Sequence, residues 1–257
     1  DYSVLAKNNT YQITRANDSI PVSVSVKDYS SESVIDVIQK LEHISRWKTI
    51  AELASPASSQ INGTVDIKIY TGIESTLADS SEITNFQTLL QYYFDDESMN
   101  WVPPRFRIKL YNNSNETLYC ALFYLTELFK AEVIKPDGVG SLTRLSPNQE
   151  IWYAGGAPLV GTVPDSFLRH NILECRDTLK LIACTDEFDP TLMNLGEIGS
   201  PKVHSSERSM ISHRGSLNRL MSRVNTRNID FAENANVYDD WVTNQLIITF
   251  RKPRASL

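Results

Sequence analysis

Cysteine is scarce in this chain, and its spacing is loose. Cys120, Cys175 and Cys184 form an odd set without the tight intervals of a disulfide framework, which points to a reducing, cytoplasmic setting. Metal-ligand spacing is missing as well. His43, His170, His204 and His213 fall at no zinc interval with one another or with the cysteines. Glycine-rich phosphate loops are absent, since "GVGSLTRL" carries glycines but no P-loop or dinucleotide fingerprint and reads as a turn. No cofactor is expected from these residues. No apolar run approaches the roughly 20 residues of a membrane helix, so no membrane partner is expected. Positive charge is outnumbered, with a formal net charge of -6, which argues against nucleic acid as a partner. No secretory leader opens the chain and residue 1 is Asp1, so a mature product or an excised piece is expected. The triplets at Asn17, Asn62 and Asn115 match the glycosylation pattern by chance in a chain this rich in Asn, Ser and Thr.

What is present is short strands with turn punctuation. The 257 residues suffice for a sizeable core. "TYQIT" and "PVSVSV" read as the first strands, the second with Val22, Val24 and Val26 on one face. A helix over about 31–54 follows, capped by Ser30 or Ser31, with Glu32 in its first turn. Val34, Ile38, Leu41, Ile44 and Ala51 form its expected apolar stripe. "VDIKIY" alternates as a strand, 71–85 reads as a loop, and "FQTLLQYYF" fits either a helix or a strand. "FRIKLY" and "LYCALFYL" around "NNSNET" predict an antiparallel hairpin. "AEVI", "SLTRL", "EIWYA", "TLKLIACT" and "WVTNQLIITF" continue the strand series. The expectation is a mainly β chain: an antiparallel β-sandwich with one prominent N-terminal helix, forming a single sandwich-like domain over 1–257. Residues 1–100 supply the N-terminal strands and helix, and 101–257 the main sandwich.

One segment differs in style. From Pro201 to Asn228 the chain carries Lys202, Arg208, Arg214, Arg219, Arg223 and Arg227 against one acid, Glu207. It reads as a basic, flexible insertion over about 201–228. Its second half can form a short helix with Leu217, Leu220, Met221 and Val224 as the apolar face. Its arginines are either solvating charge or a docking or cleavage segment, Arg208, Arg214, Arg219, Arg223 and Arg227 being the candidate positions.

The other chemical candidates read as structure. Cys184 precedes Asp186, Glu187 and Asp189, which oppose thiolate formation, so a buried strand cysteine is expected there and at Cys120. Cys175 and His170 share "RHNILEC", but catalytic dyads are usually assembled across a fold. "DEFDP" and "DDES" lack calcium-loop spacing, and the former reads as a solvated turn. Trp101, Trp152, Tyr153 and Trp241 would be the aromatics of a carbohydrate-binding sandwich, with core anchoring as the competing reading. A cysteine hydrolase using Cys175 or Cys184 is a third reading.

Four blocks occur in order: "LEHISRWKTIAELASPAS", "LKLIACTDEFDPTL", "LNRLMSRVNTR" and "DDWVTNQLIITF". Together they resemble a non-catalytic β-rich region downstream of the peptidase domain in multidomain bacterial caspase-like proteases, the orthocaspase or prokaryotic metacaspase type. The resemblance spans most of the chain, and none of its blocks is a chemical motif. It implies an interaction or regulatory module beside its own peptidase domain in cis, which recognises another protein as substrate or signal or restrains the peptidase, and a role in antiphage defence or programmed cell death. It carries over no catalytic residue. The family's histidine before glycine is missing, and no cysteine here has the family's context.

Overall fold

The computed structural model describes residues 2–16, 20–71, 81–83, 87–136, 140–200, 215–226 and 239–254. The chain is mainly β. A small antiparallel sheet comes first, built from β1 (Tyr2–Lys7), β2 (Thr10–Arg15) and β3 (Val26–Lys27). Helix α1 (Ser31–Ala51) follows. Next come β4 (Val65–Thr71), β5 (Ser81–Ile83), β6 (Gln87–Gln91), β7 (Tyr93–Asp95), β8 (Asn100–Val102), β9 (Arg105–Asn112) and β10 (Leu118–Leu125). Then follow β11 (Ala131–Ile134), β12 (Thr143–Leu145), β13 (Glu150–Trp152), β14 (Leu159–Val160), the one-turn helix α2 (Asp165–Leu168), β15 (Glu174–Cys184), α3 (Ser216–Thr226) and β16 (Trp241–Arg251).

Two sheets face each other. The larger runs β11-β10-β15-β16-β6, with β12 also on β10 and β6 parallel to β16. The smaller runs β13-β9-β4-β5, with β14 also on β9. Between them lies one core, to which Ile69, Ile108, Leu110, Leu122, Leu181 and Phe250 contribute. The larger sheet is also covered on its other face. Ile182 and Cys184 of β15, and Ala121, Phe123 and Leu125 of β10, pack under Ile50 of α1 and Leu217 and Met221 of α3. Burial on both faces explains why "LYCALFYL" is a continuous apolar run rather than an alternating one. The sandwich takes in β4 and β6, so its strands begin well before residue 100.

α1 starts where Ser30 places it. The Ser30 hydroxyl accepts the Ser33 N–H at 3.2 Å, and Glu32 sits in the positive first turn. The helix ends at Ala51 rather than near 54, and its buried side is rotated from the expected stripe. Val37, Ile44 and Ile50 are buried, whereas Val34 and Ile38 are exposed. The C-terminal half is pinned to the larger sheet through Ile50, and the middle to the small sheet through Ile44 against Ile13. Those two anchors set the rotation. "PVSVSV" does not form the expected strand: Pro21 makes one bridge to Thr14, Val22 is buried, and Val24 is 87% exposed before β3 begins. Pro21 lacks the N–H a ladder needs. "FQTLLQYYF" resolves to strand in β6 and β7.

The expected hairpin from β9 to β10 is not one. The two strands lie in different sheets, and "NNSNET" arches from one to the other. Asn112, fully buried, holds the arch. Its Nδ2 donates to the carbonyls of Glu116 (2.8 Å), Leu145 (3.2 Å) and Ser146 (3.0 Å), and its Oδ1 accepts the Ser114 N–H at 2.9 Å. Replacing Asn112 by Ala orphans several buried groups. A loss of about 3 kcal/mol is expected in urea denaturation, since each unsatisfied buried partner costs roughly 1–3 kcal/mol.

Candidate functional site

The basic segment is where the sequence places its site. Arg208, Arg214 and Arg227 lie outside the described residues. Arg219 and Arg223 fall on α3. Asp239, two residues before β16 begins, caps this helix from 23 residues beyond its first residue. Its carboxylate accepts the Ser216 N–H at 2.6 Å and the Leu217 N–H at 3.0 Å. Burial raises the Asp239 pKa, but the Ser216 hydroxyl and the two N–H groups outweigh it and leave the carboxyl below its ordinary value. A Cβ at Gly215 would stand 2.7 Å from the same carboxylate, so the residue before the helix must be small. Leu217 and Met221 are buried, and Leu220 and Val224 are partly buried against the same cluster, the apolar face expected from the sequence. The segment is therefore a docked helix over 216–226 rather than flexible throughout 201–228. Arg219, with Ser216, Leu220 and Trp241, lines a groove of about 450 Å³.

"DEFDP" is a solvated turn only in its first half. Asp186 and Glu187 are exposed, but Phe188 and Asp189 are buried. Asp189 Oδ1 accepts the Thr191 N–H at 3.0 Å, and the Asp189 N–H donates to Asn218 of α3 at 2.9 Å. The acid caps a one-turn 3-10 helix, Pro190–Met193, and locks it to α3.

All three cysteines are buried and unbridged. Burial pushes Cys120 and Cys184 up to about 12, and Asp239 and Asp186 add to the effect at Cys184. Cys175 is raised by burial first, then by Asp177, Glu127 and Glu174. Its Sγ lies 3.4 Å from the Thr162 carbonyl, while His170 Nδ1 lies 2.8 Å from the Ser166 carbonyl. Each side chain of the sequence-adjacent pair is thus engaged with a carbonyl of its own. His43 contacts the Phe129 carbonyl at 2.9 Å and is shifted down by burial. His204 and His213 lie outside the described residues. No group of three or more metal-ligating side chains assembles among the described residues. No described helix is long and apolar enough to cross a membrane.

The four aromatics do not converge. Tyr153 belongs to the inter-sheet core and Trp241 to the second core. Trp101 packs edge-on to Phe94 at 5.4 Å in the β7–β8 hairpin. Trp152 lies on the smaller sheet, edge-on to Tyr70 at 4.8 Å, with Lys109 Nζ 4.7 Å from its ring centre. Tyr70 is raised to about 12, by burial first and then by its hydrogen bond to Glu82. A tilted pair already holding a cation is not the flat stacking surface that a sugar ring uses.

Two features escape the sequence reading. One is Lys180, fully buried on β15, its ammonium donating to the carbonyls of Ala51 (2.8 Å) and Leu53 (2.6 Å) at the end of α1. The other is the β7–β8 hairpin. It forms a two-stranded sheet of its own and exposes Tyr93, Phe94 and, at 70%, Met99. Its turn is the acidic "DDES", ordered by Asp95, whose carboxylate accepts the N–H groups of Glu97 and Ser98. Met99 takes a φ of 53°, a left-handed conformation uncommon for a long side chain. Two adjacent Tyr-Phe positions and a Met-Asn-Trp run flanking acids were the available signal.

Comparison with protein-family models, curated proteins and solved structures gave no match to this chain.

Proposed function

We propose that the chain is a non-catalytic interaction and regulatory module of a bacterial caspase-like protease, acting on its own peptidase domain in cis. The ordered blocks that resemble such accessory regions motivate the choice of partner. The β7–β8 hairpin carries the mode of action. Two isolated strands are marginal by themselves in water, and this pair leaves Phe94, Tyr93 and Met99 largely outside the core. Large apolar side chains held out beside Asp95, Asp96 and Glu97 fit an apolar groove with a basic rim on the partner.

The test is binding of the purified chain to the parent protein's peptidase domain by calorimetry. Phe94→Asp combined with Met99→Asp gives up the edge contact of Phe94 on Trp101, a cost of about 1 kcal/mol to the hairpin, and touches neither core cluster of the sandwich. Affinity is expected to fall at least tenfold. Equal affinity of both forms would remove the hairpin as the docking surface. No binding by the wild type would remove the reading itself. The same mixture tests cleavage. Protease action needs an extended backbone, so cutting after Arg219, inside a docked helix, is expected only once α3 leaves the sheet. Rapid cleavage there in the otherwise folded protein would contradict the docked helix.

A further inference from the structure

The small N-terminal sheet has an edge that nothing described covers. β1 pairs with β2 on one side only, in an unbroken register from Tyr2 opposite Arg15 to Lys7 opposite Thr10. The connection is Asn8-Asn9, both with positive φ (53° and 58°), as a two-residue type I′ turn requires. In a hairpin closed this way, Lys7 and Thr10 form the hydrogen-bonded pair, and such pairs alternate along the ladder. Lys7, Leu5 and Ser3 therefore bond to β2. The N–H and C=O groups of Tyr2, Val4 and Ala6 point to the open edge.

Natural edges are usually blunted by proline, a bulge or a central charge. "YSVLAK" has none of these before Lys7, and both of its faces are exposed, Val4 at 41% and Leu5 at 48%. Val4 stands opposite Ile13, whose side chain packs on Ile44 of α1. The Val4 side of the strand thus faces the helix layer, where Val34 and Ile38 are also exposed. Water satisfies such groups one at a time, whereas an extended backbone satisfies them as a continuous ladder. The strand is also self-complementary. In an antiparallel pair centred on Val4, Val4 meets its own copy, Tyr2 meets Ala6, and Ser3 meets Leu5. No charge is opposed to a like charge within that stretch.

We propose that β1 is a self-association strand. Two copies of the chain pair antiparallel along their β1 edges about a two-fold axis at Val4, giving a continuous six-stranded sheet. This surface is separate from the β7–β8 hairpin and does not depend on the choice of peptidase partner.

Sedimentation velocity across a thousandfold range of concentration tests it. A monomer–dimer equilibrium is expected for the wild type. Val4→Pro removes an N–H that the β1–β2 ladder does not use and is expected to abolish the dimer with circular dichroism unchanged. Should that variant misfold, Val4→Lys, which sets two ammonium groups against each other at the axis, is expected to weaken association at least tenfold. Val4→Cys is expected to form an intermolecular disulfide on oxidation, against a low background because the native thiols are buried. A wild type that stays monomeric throughout would overturn the proposal, even if its edge captured some other extended peptide. So would a dimer that the folded Val4 variants leave intact.

Discussion

Lys180→Ala is expected to destabilise the fold by about 4 kcal/mol at pH 7, with Lys180→Met losing about half as much. The lysine stem lies on β15, and its ammonium closes the C-terminal end of α1, 127 and 129 residues away in sequence. Truncation leaves a cavity and orphans the Ala51 carbonyl, and the sum of those terms is roughly 3–5 kcal/mol. The Leu53 carbonyl keeps a partner in the Thr243 hydroxyl at 3.3 Å, which limits the loss in the methionine variant. The pH dependence is diagnostic. Burial lowers the Lys180 pKa to about 8 from 10.5. Between those values the unfolded chain holds a proton that the folded chain has released, so this group makes stability rise with pH through that window. The rise is up to roughly 3 kcal/mol. Both variants lack the group, so the gap to the wild type is expected to widen between pH 8 and 10.5. Urea denaturation at a series of pH values measures it. A gap that stays constant would show that Lys180 is not held as the structure has it.

Gly161→Ala is expected to cost about 3 kcal/mol, the upper end of the usual range for overpacking a core. Gly161 follows β14, and its N–H donates to the Pro104 carbonyl at 3.0 Å. A Cβ there would stand 1.9 Å from Cε1 and 2.2 Å from Cδ1 of Phe250. That ring is fully buried and packs on Phe106 with 6.0 Å between centres. It has no room to retreat. Phe250→Leu opens the space, so the double variant is expected to be more stable than the sum of the single effects by 1 kcal/mol or more, a coupling typical of residues in contact. Strict additivity would contradict the close approach. Melting curves of the four proteins decide the matter.

Local chemistry was legible where it acts locally. Ser30 and Glu32 marked the start of α1, and the apolar runs around Cys120 and Cys184 marked the two central strands with their buried thiols. The fold beyond that depends on distant partners. "NNSNET" has the turn chemistry of a hairpin and of an arch alike. What distinguishes them is Asn112 reaching Leu145 and Ser146, more than thirty residues on. "TLKLIACT" was readable as a strand, but the face that carries Lys180 is covered by a helix whose position no strand pattern encodes. The rotation of α1 failed for the same reason. Val34 and Ile38 fit a helical stripe by spacing, and the anchors at Ile44 and Ile50 turn them outward. At the candidate site, the apolar face of α3 was readable from its period. Its cap was not, because Asp239 approaches from the far end of the excursion. The β7–β8 hairpin was hidden by its acids, which were weighed against calcium-loop spacing although they form its turn.

Binding of this chain to the caspase-like peptidase domain proposed as its partner tests the central claim most directly. The account predicts saturable association that weakens at least tenfold when Phe94 and Met99 are both replaced by Asp, with the sandwich still folded by circular dichroism. Absence of association at high micromolar concentrations of both partners would contradict it.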